Sequence, residues 1–280
     1  MSISVLTLNK NRHDHLNNLI IGLERNSEKP YELIIVEMSD PCEERDFADG
    51  ILAQASFPIN IVPFASQGLP LSAARNLAAA QAGAEKLLFL DVDCIACEHF
   101  IVTMERLISN EGVIISPMVY YLPERQTLHV WSEADLLASG TPHEARSFPR
   151  QGLRLETNPG LFWSLAFGLY RKTFANIGGF CEAYQGYGGE DTDFGYQAAD
   201  QGVDHYLTSE CYVFHQYHPT YDPPFNHFDA IIANAQTFFR RWQRWPMEGW
   251  LQAFAAQGFI DWRGDDIIVL ARPTSINNNQ

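Results

Sequence analysis

No stretch of the 280 residues approaches the roughly 20 consecutive apolar residues that a membrane-spanning helix needs. The longest candidate, 161–170, is strand length. Basic residues are scarce: 19 Lys+Arg stand against 34 Asp+Glu, a net charge of −15. Gripping nucleic acid or anionic lipid depends on clustered Lys and Arg, so neither is the main task of this chain. Cysteine is sparse too, at Cys42, Cys94, Cys97, Cys181 and Cys211. An odd, scattered set excludes a disulfide-stapled scaffold and suits reduced thiols in a cytosol. Cys94 and Cys97 form one CxxC with no second pair to complete a structural zinc site, and they read as ordinary part-buried thiols. The apolar start, 3–8, follows no basic stretch and reads as a strand rather than a secretory leader. No internal repeat is present. These absences predict a cytoplasmic protein with no transmembrane segment and no nucleic-acid partner.

What is present is an ordinary globular composition, 46% hydrophobic with 12% aromatic. That excludes global disorder. The length suits one large α/β domain or two small ones. Strand and helix patterns alternate through the first hundred residues. Strands are expected at 3–8, 33–36, 59–64, 87–90 and 113–115. Leu16, Leu19, Ile20 and Leu23 have helical spacing after a cap at Asp14. Ser72 is placed to cap an Ala-rich helix ending near Gly83. A helix is expected over 100–108. The pattern predicts a mostly parallel sheet flanked by helices, with ligands at the carboxyl ends of its strands. Residues 134–159 read as a long loop, with 134–158 a candidate lid. A strand follows at 161–170, then a helix at 190–201 closed by Gly202. The aromatic-rich section 225–262 reads as helical, and 276–280 as a frayed tail.

Four clusters carry chemistry. Asp91-Val92-Asp93 lies just past a buried strand. Two carboxylates so close repel unless a cation or hydrogen bonds neutralise them. A divalent cation bridging to a diphosphate resolves the repulsion, and hard oxygen donors suit Mn²⁺ or Mg²⁺. In Gly186-Tyr187-Gly188-Gly189-Glu190-Asp191-Thr192-Asp193, glycines permit close ligand approach and acids then open a helix. The helix dipole keeps those carboxylates ionised, which a general base needs. Val213-Phe214-His215-Gln216-Tyr217-His218 offers an imidazole ligand after a strand. Arg75, near a helix start, can pair with phosphate or hold the acidic strand ends.

The order of these clusters resembles the family-two-like inverting glycosyltransferases of the A-type fold. Ser4-Val5-Leu6-Thr7-Leu8-Asn9 looks like the opening strand of that family. Glu32-Leu33-Ile34-Ile35-Val36-Glu37, followed by Ser39-Asp40, is similar to its second strand. Leu71-Ser72-Ala73-Ala74-Arg75-Asn76 and Leu88-Phe89-Leu90-Asp91-Val92-Asp93 look like its helix and DxD motif. Gly178-Gly179-Phe180 and Gly188-Gly189-Glu190-Asp191 resemble the acceptor and base segment of galactosyltransferase-type members. The resemblance covers roughly residues 3–218. Where the family has paired Asp after its second strand, this chain has Glu37-Met38-Ser39-Asp40, so the acid that meets the nucleoside stays open.

The resemblance implies an A-type nucleotide-sugar-binding fold with a catalytic domain at 1–220. It would divide into a nucleotide-binding half, 1–118, and an acceptor-binding half, 119–220. An aromatic-rich extension, 221–280, would follow. It implies a metal-dependent transfer of a hexose, with inversion, from a nucleoside-diphosphate sugar, of UDP type, to a glycan or other hydroxyl acceptor. Thr7, Asn9, Glu37, Arg75, Asp91 and Asp93 would meet the donor. Asp93, His215 and Asp91 would hold Mn²⁺ or Mg²⁺. Asp191 would be the base, and Glu190 would orient it or bind the acceptor beside Gly189 and Trp163. Trp242, Trp245, Trp250 and Trp262 either pack a helical cap or an oligomer contact, or bind the acceptor or a lipid carrier. Peripheral membrane contact through a lipid-linked acceptor and homo-oligomerisation stay open. The alternatives are a retaining transferase with a GDP-sugar, a non-catalytic sugar-nucleotide or glycan module, and a nucleotidyltransferase. The last would want a Gly-rich basic loop, and Asn9-Lys10-Asn11-Arg12 has no glycine.

Overall fold

The computed structural model describes residues 3–38, 55–65, 68–124, 131–144 and 146–273. The expectations at Ser39, Asp40, Cys42 and 276–280 lie outside the described residues. Short, mainly apolar runs form strands β1 (Ile3–Asn9), β2 (Glu32–Glu37), β3 (Ile59–Pro63) and β4 (Lys86–Leu90). These four pair in parallel, in the order β3-β2-β1-β4. Beyond them lie β9 (Ala166–Tyr170), β6 (Val113–Tyr121), β10 (Asp204–His215) and β5 (Cys94–Ala96). The sheet turns mixed here: β9 runs antiparallel to β4 and β6, and β5 antiparallel to β10. β6 runs across the expected division at residue 118.

Strand periodicity sends alternate side chains to two cores. On one face Val5, Leu33 and Ile35 pack against α1 (His13–Arg25) and α3 (Phe100–Leu107). On the other, Leu6, Ile34 and Phe89 meet α2 (Leu71–Gln81), α5 (Arg171–Ile177) and α6 (Glu190–Asp200). An aromatic stack concentrates this second core, with Phe89 on Phe167 at 4.6 Å and Phe180 on Phe194 at 4.4 Å between centroids. Each such buried ring contributes about 1.5–3 kcal/mol. The stack anchors α6, whose first turn carries Glu190 and Asp191. Gly195 lets α6 press onto the chain at Pro159, where a Cβ would lie 2.4 Å from the Pro159 carbonyl oxygen.

Several local expectations are corrected. The helix expected after a cap at Asp14 starts two residues earlier, at His13, and Asp14 sits in its first turn. Ser72 does not cap α2, which starts at Leu71 after Pro70; its Oγ is buried without a partner. The 134–159 stretch is not one loop. It holds α4 (Glu133–Ser139), closed by a capping box between Ser132 and Asp135, then β7 (Thr141–Pro142) and β8 (Leu153–Glu156). Only 166–170 of the apolar 161–170 run is strand, because a tight 3-10 turn at Pro159–Leu161 starts the segment. The 225–262 section is helical only as a 3-10 turn at Phe225–His227 and as α7 (Phe228–Trp242) and α8 (Glu248–Ala256). Its last residues enter a hairpin of β11 (Ile260–Arg263) and β12 (Asp266–Val269), turned just beyond it at Gly264-Asp265. These elements share a core of Phe228, Ile231, Leu251, Phe254, Ile260 and Ile267.

His205 on β10 is buried, with Ser116 Oγ 2.9 Å from its Nε2. Burial, with Arg146 and Arg154 adding, pushes its imidazole down to about 3. The unfolded histidine titrates near 6.5, so the unfolded state binds the extra proton between those values. Its contribution is complete above pH 6.5 and is lost as pH falls toward 3. Urea unfolding at pH 7 and pH 5 should show this loss, with a shallower slope in His205→Gln; equal slopes would remove His205 as the cause.

Candidate active site

The carboxyl end of β4 delivers Asp91 into a turn in which Cys94 N–H donates to the Asp91 carbonyl at 2.9 Å. The chain then re-enters the sheet as β5, paired with the end of β10 so that Cys94 faces His215. Gln216 N–H donates to the Asp93 carbonyl at 2.7 Å. This register brings residues more than 120 apart in sequence into one cluster. His215 Nε2 lies 3.5 Å from Asp93 Oδ1, and His218 Nε2 lies 3.4 Å from Asp93 Oδ2. Donor atoms of Asp93, His215 and His218 all lie within 4.8 Å of one another. Arg12 Nη1 reaches Asp93 Oδ2 at 3.1 Å. Burial alone would raise the Asp93 carboxyl; His215, His218 and Arg12 outweigh it and hold it well below the ordinary range. Burial lowers the His215 imidazole and so favours its neutral, metal-binding form, against the pull of Asp93. Asp93 Oδ1 is buried with no hydrogen-bond partner. A buried carboxylate oxygen beside two imidazoles fits a divalent cation.

Asp91 falls outside that group and faces Arg75 instead, Nη2 to Oδ1 at 3.7 Å. Arg75 is buried and also reaches Glu190, Nη1 to Oε1 at 3.3 Å. It therefore ties the acidic end of β4 to the start of α6, the second of the roles open to it in the sequence. Desolvation pushes the Asp91 carboxyl up, Arg75 opposing; Asp91 stays 37% exposed, so water screens part of that push. The helix start does not keep Asp191 ionised as expected: burial pushes its carboxyl up to about 7, with Glu190 adding and the Thr192 N–H and Arg75 opposing. Glu190 Oε2 is buried without a partner.

Gly188 and Gly189 take φ of 97° and 88°, which only glycine adopts cheaply, and so aim Glu190 and Asp191 inward. Asn234 of α7 clamps this loop, donating to the carbonyls of Gly188 at 2.8 Å and Gln185 at 3.0 Å. The extension is thus built into the site. Trp242 donates to Asp193, and Trp245 stacks on Phe239 at 4.3 Å with Trp262 against its edge. Those three pack the cap. Trp250 packs against the same core and also stacks near Tyr187, 5.9 Å away, in the glycine loop.

At the donor end, Thr7 and Asn9 line the end of β1 and Glu37 the end of β2, all buried. Asn9 Nδ2 donates to Glu37 Oε2 at 2.7 Å, while Thr7 Oγ1 and Asn9 Oδ1 have no partner. Trp163 precedes β9 rather than lying in it. It packs against His143 at 4.9 Å and the Arg146 guanidinium at 4.9 Å. Sequence reasoning missed Arg12, Tyr121, Arg146 and His218. Of these only His218 carried a usable signal, its spacing of three from His215. A shallow depression lined by Arg150, Gln151, Gly152, Ser209 and Glu210 contains none of these groups.

A family model described as the N-terminal domain of galactosyltransferase matches residues 154–219, which run from β8 through α6 to β10 and its histidines. No curated protein matches the chain. Among solved structures, GalNAc-T7 with UDP, GalNAc and Mn²⁺ superposes with a TM-score of 0.62 at 13% identity, over 92% of this chain and 57% of that one. S. aureus TarS superposes with a TM-score of 0.58 at 13% identity, over 92% of this chain and 44% of that one. TarS 1-349 in complex with UDP gives 0.58 at 15% identity, over 84% and 64%. The chain therefore has the A-type glycosyltransferase fold, and it spans between 44% and 64% of the length of these structures.

Proposed function

We propose that the chain is a glycosyltransferase that moves a hexose from a UDP-sugar to a hydroxyl acceptor, dependent on a divalent cation and with inversion. The observation that carries this reading is the cluster of Asp93, His215 and His218 at the same strand ends as Arg75, Asp91, Glu190 and Asp191. The galactosyltransferase match over 154–219 and the UDP complexes of similar fold support it. We assign residues 1–220 to catalysis, with a donor half and an acceptor half divided near 118, and 221–280 to an extension. Thr7, Asn9, Glu37, Arg75, Asp91 and Asp93 would seat the donor.

Asp93, His215 and His218 would hold the cation. Mixed nitrogen and oxygen donors favour Mn²⁺ over Mg²⁺, which prefers oxygen alone. When bound, the cation neutralises charge on the departing diphosphate. Asp191 takes the proton of the acceptor hydroxyl. The acceptor oxygen bonds the anomeric carbon as the bond to the diphosphate oxygen breaks, and the diphosphate leaves with the electron pair. One displacement inverts that carbon. Glu190, held by Arg75, fixes the start of α6, with Gly189 and Trp163 beside the acceptor. No helix among the described residues is long and apolar enough to cross a membrane. Cys94, Cys97, Cys181 and Cys211 are unbridged, which suits a reducing cytoplasm.

Thermal shift tests the donor site. UDP with Mn²⁺, each at about 100 times its dissociation constant, should stabilise the native state by about 2.7 kcal/mol per site. Asp93→Asn and His215→Ala should abolish the Mn²⁺-dependent part. No shift in the wild type, or an equal one in both variants, would sink the assignment. NMR of the product anomer decides the stereochemistry, a retained anomer removing the single displacement.

A further inference from the structure

Arg146 is 6% exposed, yet its Nε and Nη2 are buried without a hydrogen-bond partner. A charge taken out of water is costly unless it is paired. Its neighbours are rings: the guanidinium carbon lies 4.9 Å from the Trp163 centroid and 5.4 Å from that of Phe148. Cation–π contact offsets part of the cost but satisfies no N–H. The carboxylate on β8 that favours its charge, Glu156, is already taken. Its Oε2 accepts from Arg154 at 2.8 Å and its Oε1 from the Asn158 N–H at 3.0 Å. Burial pushes the guanidinium down to about 10, and Asp191 is among the acids that favour its charged form.

We propose that Arg146 is the receiving cation for an acidic group, a carboxylate or a phosphate, carried by the acceptor. Its position favours the acceptor over the donor diphosphate. The Tyr121 ring packs against His215 at 5.0 Å on one side and against His143 at 5.5 Å on the other. His143 meets Trp163, and Trp163 meets Arg146. Arg146 is therefore set off from Asp93 and its histidines by aromatic rings, while it senses Asp191. A chain of net charge −15 repels an acidic substrate, so a dedicated buried cation overcomes that repulsion at one point. An acid entering here gains charge-assisted hydrogen bonds from two N–H groups that have no partner. Calling the bound acid an acceptor rests on the transferase reading; the anion site itself does not.

The test is calorimetric titration of methyl β-D-glucuronide, glucose 6-phosphate and the neutral methyl β-D-glucoside, each with and without UDP and Mn²⁺. At least one acid should bind the wild type about tenfold or more tightly than the neutral glucoside. Arg146→Met should bring the acid down to the neutral level while leaving UDP binding unchanged. Should the Met variant fail to fold, Arg146→Lys serves, with the acid preference reduced because a point charge replaces the planar fork. The proposal is overturned by no acid preference in the wild type, or by a full preference in the substituted protein. Loss of UDP binding in Arg146→Met also overturns it, by assigning the guanidinium to the donor diphosphate. Acid preference in a wild type that binds no UDP would support the anion site and sink the donor reading instead.

Discussion

Asp191→Asn should lower transfer by about 10²–10⁴-fold while Mn²⁺ and UDP still bind, because the amide keeps the shape but cannot take a proton. The geometry supports this size of effect. Asp191 Oδ1 accepts from the Thr192 N–H at 2.7 Å, so the carboxylate is held at the opening of α6 rather than free to swing. Arg75 fixes Glu190 next to it and bridges to Asp91. A proton acceptor works best with a pKa near the working pH, and burial places Asp191 at about 7. The sign follows directly. The base is the unprotonated form, so kcat should fall as pH drops through about 7 and level off above it. Asp191→Asn should remove that limb from what activity remains. An unchanged kcat in the variant, or a wild-type rate flat from pH 8 to 5, would exclude Asp191 as the base.

The parallel half of the fold was legible because its strands are continuous apolar runs bounded by turn residues, as in Leu33-Ile34-Ile35-Val36. The clusters at Asp91-Asp93, Glu190-Asp191 and His215 were legible because each sits just beyond such an element. Pairing was not. That His215 faces Cys94, and so meets Asp93, depends on β5 running antiparallel to β10, which no local pattern encodes. Arg12 and Arg146 were invisible for the same reason, as each becomes notable only through what surrounds it. In 134–159 the composition of a loop hid the helix that Ser132, just upstream, and Asp135 cap by their spacing. In 225–262 aromatic content looked helical throughout, although just beyond it Gly264-Asp265, between Trp262-Arg263 and Asp266-Ile267-Ile268, is a hairpin signal. The 161–170 run is apolar along its length, so hydropathy could not place the strand start at Ala166.

The largest structural effect is expected at Asp193, one of the few fully buried charges in the described chain. Its Oδ1 accepts from Arg241 Nε at 2.7 Å, Trp242 Nε1 at 2.7 Å and the Tyr184 hydroxyl at 3.0 Å, and its Oδ2 from Gln197 Nε2 at 2.6 Å. Four donors on one carboxylate join α6, α7 and the chain leading into the glycine loop. Asp193→Ala strands all four. Breaking a buried pair costs about 3–5 kcal/mol, and Arg241 is 37% exposed, so water recovers part of it and sets the value near the lower end. For a domain of this size that is roughly a 6–12 °C fall in melting temperature. Asp193→Asn, which keeps one acceptor oxygen, should fall less. Arg241→Met combined with Asp193→Ala should cost less than the two single changes summed, since the second removes a charge the first has orphaned. The same contact fixes the first turn of the helix, two residues after Asp191. The Ala variant should therefore lose kcat at temperatures where it is still folded, with Mn²⁺-dependent UDP binding kept. A wild-type melting temperature in Asp193→Ala would mean that the extension does not brace α6, and strictly additive single changes would mean that Arg241 and Asp193 are not coupled.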